Sequence, residues 1–121
     1  MTPERFNDIL ARRLEVTKAV LTSKAQEYSS GKDRLHNFNR AAAMLGTTPE
    51  KALVGMWTKH IVSILDIVDS EIVPSLALLE EKVTDAVNYL ILLEACYKDK
   101  MDLITVQNKK ALRSKGLFFS Y

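Results

Sequence analysis

The sequence has little of the residues that cross-link or punctuate a chain. Its 121 residues include one cysteine, three prolines and four glycines. One cysteine cannot form an intramolecular disulfide, which excludes a disulfide-stapled domain and indicates a reducing compartment. Because Cys96 lies in an apolar helical run, we expect it to fill the core.

A strong charge of either sign is also missing. The formal net charge at pH 7 is +2, which is too small for a protein whose main partner is a nucleic-acid backbone, since such proteins carry a strongly basic face. We therefore expect no binding to duplex nucleic acid, and any basic site must be local.

Long hydrophobic runs are absent as well. No apolar run approaches the roughly 20 residues of a membrane span, and residues 1–13 are charged and lack the apolar centre of a signal peptide. We expect no membrane partner. We expect the protein to be located in a bacterial cytoplasm, which includes the cytoplasm of an infected bacterium.

What the sequence does have is helical periodicity. Apolar residues recur every three or four positions, and strand-like alternation is absent. A chain of this length supports one domain. We expect a single all-α, MazG-like domain over residues 1–121, in which residues 1–115 form a compact bundle of four core helices plus a C-terminal helix.

Capping signals place the helix ends. Thr2 with Pro3, and Thr48 with Pro49, are cap and first-turn proline pairs that open helices, and Gly46 is a C-terminal stop. The expected helices, in chain order, are residues 2–29, residues 33–45, residues 48–70, a fourth helix from about residue 75, and a separate final segment, residues 101–115.

An aromatic tail, residues 116–121, follows the last helix. Leu117, Phe118, Phe119 and Tyr121 are too apolar to remain in water. We expect the tail to dock on its own domain or on a neighbouring subunit, and a homo-oligomer is the expected state.

Residues 24–40 hold the first concentration of reactive or binding side chains. Lys24 and Tyr28 are one turn apart at the end of the first helix, and Arg34, Asn37 and Phe38 follow. A helix start beside a cation favours phosphate, an asparagine can donate to and accept from a base or ribose edge, and flat rings stack. The stretch predicts a nucleotide site; the alternative is that the rings are core and the charges a solvated rim.

Carboxylates on the third and fourth helices form the second concentration. Asp66 and Asp69 are three residues apart, and Glu81 and Asp85 are four apart. Facing antiparallel helices with two carboxylates each can hold Mg²⁺ together with substrate phosphates. This pattern predicts a hydrolase site; the alternative is ordinary surface acidity.

Lys59 and His60 are adjacent on the third helix. Their side chains suit phosphate contact as readily as catalysis. A histidine that is satisfied on a helix face is the alternative for His60.

The order and spacing of these residues resemble the sequence pattern of a known family. The matching positions are Lys24, Glu27, Tyr28, Asp33, Arg34, Asn37, Phe38, Lys59, Asp85 and Tyr89. Over about residues 20–97 the chain resembles phage-encoded small proteins of the MazG-like all-α NTP pyrophosphohydrolase superfamily, of the nucleotide-modification-associated type. The resemblance implies an oligomer with the nucleotide site near a subunit interface. In catalytic members it implies Mg²⁺-dependent cleavage of a nucleoside triphosphate to a monophosphate and pyrophosphate.

The chain departs from the catalytic members of that family. They carry Glu-x-x-Glu on one helix and Glu-x-x-Asp on the next, whereas this chain has Asp66-x-x-Asp69, and Lys82 stands three residues before Asp85. A cation at a ligand position removes an oxygen and repels the metal ion. The second motif is therefore broken unless Glu81 substitutes.

Two functions are expected from this pattern, with a purely structural helical adaptor as a third. In the first, the protein needs no cofactor. It binds a phosphorylated nucleotide, or a nucleotide-derived linear or cyclic host immune signal, and holds it intact, as a phage anti-defence sponge would. The expected ligand-binding residues are Lys24, Tyr28, Arg34, Asn37, Phe38, Lys59, His60, Asp85 and Tyr89.

The second expected function is a Mg²⁺-dependent (d)NTP pyrophosphohydrolase acting on the nucleotide pool. Its metal ligands would be Asp66, Asp69, Glu81 and Asp85, and a metal-activated water would attack the triphosphate.

Overall fold

The computed structural model describes residues 1–28 and 33–116, with residues 24–28 described by their backbone alone. In chain order the described helices are α1 (Pro3–Tyr28), α2 (His36–Leu45), α3 (Pro49–Asp69) and α4 (Leu76–Ser114). Helix α3 packs on α4, α2 packs on α3, and α1 packs on α4. No strand occurs within the described ranges, and the predicted all-α fold is confirmed. Residues 117–121 of the aromatic tail lie outside them.

Side-chain caps start three of the helices. The Thr2 hydroxyl accepts a hydrogen bond from the Arg5 backbone N–H (3.1 Å) at the start of α1. The Thr48 hydroxyl accepts from the backbone N–H of Lys51 (3.3 Å) at the start of α3. Ser75 caps α4 in the same way. Each cap satisfies an N–H that has no partner inside its helix, so the predicted starts of α1 and α3 are confirmed.

Helix α2 begins later than the predicted residue 33. The Asp33 carboxylate accepts one hydrogen bond from the Leu35 backbone N–H (2.9 Å) and another from the Asn39 side-chain amide (3.1 Å). These bonds hold residues 33–35 in a turn before His36. At the other end Gly46 adopts the left-handed conformation (φ 64°) that closes the helix.

The predicted final segment is not a separate helix. Residues 101–114 continue α4, which runs for 39 residues without interruption. Between Ser75 and Gly116 the sequence has neither proline nor glycine, so nothing in the backbone chemistry ends the helix earlier. The weak amphipathicity after residue 100 marks a change of surroundings rather than a helix end.

The core lies where α2, α3 and α4 meet. Leu35, Phe38, Leu53 and Cys96 are buried together, and the prediction that Cys96 fills the core is confirmed, since the residue is 4% exposed. Burial, followed by the nearby carboxylate of Glu50, raises the pKa of the Cys96 thiol. The thiol is therefore protonated and unreactive at neutral pH.

Helix α1 is attached to α4 by polar contacts. Arg12 Nη2 lies 2.8 Å from Glu80 Oε1, and this hydrogen bond raises the pKa of Arg12. Arg13 donates to the Thr84 hydroxyl. The apolar stripe of α1 stays open to solvent, with Phe6 57% and Leu14 61% exposed. None of the described helices combines the length and apolarity needed to cross a bilayer.

Candidate functional site

A cavity of about 340 Å³ opens between the C-terminal part of α1, the start of α2, and the middles of α3 and α4. Its volume falls in the range of small-molecule sites. The lining residues are Leu21, Arg34, Asn37, Phe38, Met56, Lys59, His60, Asp85, Asn88, Tyr89 and Leu92.

The entry to α2 supplies three of these residues. Arg34 lies in the turn that Asp33 stabilises, and Asn37 and Phe38 lie in the first turn of the helix. Phe38 is buried at 6% exposure, Arg34 is half-buried, and Asn37 is exposed. Because Phe38 is part of the buried core, it fixes the position of the first turn of α2 beside the cavity.

Helix α3 supplies Met56, Lys59 and His60, which are three and four residues apart and so share one face. Lys59 is exposed and His60 is half-buried. Among the lining residues that the structure describes, the ammonium of Lys59 and the guanidinium of Arg34 are the two strongly basic groups, against the single carboxylate of Asp85. The cavity wall therefore favours an anion over a cation.

Helix α4 supplies Asp85, Asn88, Tyr89 and Leu92. Steps of three and four residues place all of them on one face of the helix. Asp85 Oδ2 lies 3.6 Å from His60 Nδ1, and both side chains are about one-fifth exposed or less. The pair is an ion pair when the imidazole is protonated.

Three rings form a continuous aromatic surface. The ring of Tyr89 lies 4.9 Å from that of His60, tilted by 36°, and 6.2 Å from that of Phe38, in an edge-to-face arrangement at 72°. Such contacts fix ring orientation beyond simple burial. The cavity thus has aromatic rings on its wall beside the cations Arg34 and Lys59.

Asn88 lines the cavity, and the sequence patterns did not single it out. It is 5% exposed, and its side-chain oxygen accepts no hydrogen bond from the part of the chain that the structure describes. A buried polar atom without a partner costs about 1 to 3 kcal/mol. The sequence feature that could have identified Asn88 is its position about one turn after Asp85, on the same face of the helix.

The structure brings seven of the expected ligand-binding residues to this cavity: Arg34, Asn37, Phe38, Lys59, His60, Asp85 and Tyr89. Two others, Lys24 and Tyr28, belong to the last turns of α1, and their side chains lie outside the described residues. Phe38 has both of the roles weighed for it, because it is core and also lines the cavity.

The four expected metal ligands are not gathered into one group. Among residues 1–23 and 33–116, no set of three or more His, Cys, Asp or Glu side chains is placed to hold a metal ion. Asp66 and Asp69 are exposed. Glu81 Oε1 lies 3.8 Å from the Lys82 ammonium, while Asp85 lies beside His60 in the cavity. These residues as placed do not fit a carboxylate-held Mg²⁺.

No family model, curated protein or solved structure matches this chain.

Proposed function

We propose that the protein binds a phosphorylated nucleotide in the cavity between α1, α2, α3 and α4. The observation that carries the proposal is the convergence of two cations, two amides and three rings on one cavity of about 340 Å³. Arg34 and Lys59 suit phosphate oxygens, because both are permanent donors at neutral pH. Asn37 suits a base or ribose edge.

The planar part of the ligand has a matching surface. The ring of Tyr89 contacts the rings of His60 and Phe38, and all three residues line the cavity. A base that stacks there leaves water, and stacking on aromatic side chains is worth roughly 1 to 3 kcal/mol per base. An anion alone would make no use of these rings, which favours a nucleotide over inorganic phosphate.

We favour retention of the ligand over its cleavage. The described carboxylates do not form a metal-holding group, so the geometry supports binding more directly than hydrolysis. A protein that holds its ligand intact lowers the free concentration of that ligand. The proposed role is therefore sequestration of a nucleotide or nucleotide-derived signal, linear or cyclic, such as a host immune messenger in an infected bacterium.

Calorimetric titration with ribonucleoside and deoxyribonucleoside triphosphates, without and with Mg²⁺, tests binding. Arg34→Gln should weaken the tightest ligand about 10- to 100-fold, the typical effect of a hydrogen bond to a charged group. Arg40→Gln is the matched control, because Arg40 is exposed on α2 and does not line the cavity. Equal losses in both variants would contradict the site assignment.

Retention is tested on the same complex. After incubation with Mg²⁺ and heat denaturation, chromatography should recover the triphosphate unchanged. Release of pyrophosphate would instead show the hydrolase.

A further inference from the structure

Within the part of the chain that the structure describes, the side-chain oxygen of Asn88 is a hydrogen-bond acceptor without a donor. The residue is 5% exposed and lies on the α4 wall of the cavity. Its oxygen accepts nothing from the described part of the chain. Helix interiors disfavour asparagine relative to leucine or alanine, so both the residue type and its burial act against stability. A bound molecule that donates a hydrogen bond would remove the second of these costs.

The neighbours of Asn88 indicate which part of a ligand lies there. Tyr89 follows it directly and Leu92 is one turn further on, and both line the cavity. The cation Arg34 comes from the turn before α2 and the cation Lys59 from α3, whereas neither comes from α4. A hydrated, charged phosphate is matched to those cations, whereas a flat base is matched to the buried wall of α4.

We infer that Asn88 determines base specificity: its Oδ1 accepts a hydrogen bond from an N–H group on the base of the bound nucleotide. The inference rests on the proposed nucleotide binding. A buried acceptor of this kind discriminates strongly between ligands with and without a matching donor, because a ligand that lacks the donor leaves the buried oxygen unpaired. Bases that present an exocyclic amino or ring N–H group are therefore selected over otherwise identical bases without one.

Matched ligand pairs test the inference on the unaltered protein. The pairs are ATP with purine riboside triphosphate, CTP with the pyrimidin-2-one analogue, and UTP with N3-methyl-UTP. GTP, which has two such groups, is compared with inosine triphosphate, which lacks the exocyclic amino group, and with N1-methyl-GTP, which lacks the ring N–H. The tightest-binding nucleotide should lose about tenfold in affinity when its N–H is removed. The 2′-deoxy form of the same nucleotide should bind within about twofold, since the ribose hydroxyl is not the donor.

Asn88→Leu separates this role from a structural one. The variant removes the acceptor at similar volume, so it should bind the two members of the pair equally while its melting temperature stays the same or rises. Asn108→Leu, on the exposed C-terminal part of α4, is the matched control and should keep the preference.

Every outcome decides the question. A wild-type protein that binds nucleotides but does not distinguish the pair, or an Asn88→Leu variant that keeps the preference, overturns the inference and leaves the proposed function intact. A preference that follows the ribose hydroxyl also overturns it. Failure of every nucleotide to bind, cyclic mono- and dinucleotides as well as triphosphates, overturns the proposed function itself. The wild-type comparison stands even if the leucine variant does not fold.

Discussion

Glu50 is a buried carboxylate that joins two helices. It is 6% exposed in the first turn of α3, and Lys100 Nζ, from the second half of α4, lies 3.1 Å from its Oε1. Burial raises the pKa of Glu50, but hydrogen bonds from its own backbone N–H, from Lys100 and from Thr48 outweigh burial, and the pKa lies below its ordinary value of 4.5. The charged form is therefore the stable one in the fold.

Removal of the Lys100 ammonium should destabilise the protein, because the buried carboxylate of Glu50 loses its charged partner. Lys100→Met keeps the aliphatic stem and deletes the charge, so we expect the free energy of unfolding in urea to fall by about 1 to 3 kcal/mol at neutral pH. Lys98→Met is the control, since Lys98 pairs with Glu94 at 3.3 Å on the exposed face of α4. An exposed pair of this kind contributes roughly 0.5 kcal/mol or less.

The pH dependence has a definite sign. Because the folded-state pKa of Glu50 is below the unfolded one, its contribution is fully present above the unfolded pKa and is lost as the pH falls through the folded pKa. The difference between wild type and Lys100→Met should therefore shrink in acid. A difference that is constant from neutral to acid pH would show that Lys100 acts through packing alone.

At the scale of one helix turn, two glycines provide a matched pair. Gly46 closes α2 at φ 64°, where a Cβ is strained whatever space surrounds it. Gly55 lies inside α3 and is exposed. A Cβ added at either position meets no atom within 4 Å, so backbone conformation alone decides the effect of substitution.

The two alanine variants should change stability in opposite directions. Gly46→Ala should lower the free energy of unfolding by about 1 kcal/mol, because only glycine adopts the left-handed region without cost. Gly55→Ala should raise it by about 1 kcal/mol, because alanine is the better helix former. Thermal denaturation followed by circular dichroism measures both, and changes of the same sign would contradict this account.

The helix ends show which features are local enough to predict. The starts of α1 and α3 could be predicted from Thr2 with Pro3 and from Thr48 with Pro49, because a cap involves residues at most three apart. The expected break before residue 101 was wrong, since α4 continues to Ser114. It had been inferred from weakening amphipathicity, which reports what a helix packs against and not whether the backbone stays helical.

The cavity shows which features depend on packing between helices and are therefore hard to predict from sequence. The residues around Arg34 and Phe38 were found because a loop, a helix start and a cation stand together in sequence. Asn88 was missed because one amide within a long helix resembles a surface residue until the packing of α2 and α3 buries it. Whether carboxylates on two helices meet is equally hard to predict, since residue spacing fixes a helix face but not the distance to a neighbouring helix.

At the scale of the whole molecule, we expect the open apolar faces to contact a second copy of the chain. In α1, Leu10 is 46% and Leu14 61% exposed, and in the second half of α4, Met101 is 59% and Ile104 49% exposed. The described part of the chain covers neither stripe. Contiguous exposed apolar area on a water-soluble surface marks an interaction site, and two helical stripes on one chain can pair with their counterparts in a symmetric dimer.

We therefore expect sedimentation velocity to give a mass above the 13.7 kDa of the single chain. Leu14→Lys should shift the protein towards monomer while the circular dichroism spectrum stays helical, because a buried charge in an apolar interface is costly. Ser23→Lys adds the same charge nine residues further along α1, which at 3.6 residues per turn is the opposite side of the helix, and it should leave the mass unchanged. If wild type sediments as a monomer at micromolar concentration, the stripes serve another partner. If both variants dissociate equally, net charge and not the α1 face governs assembly.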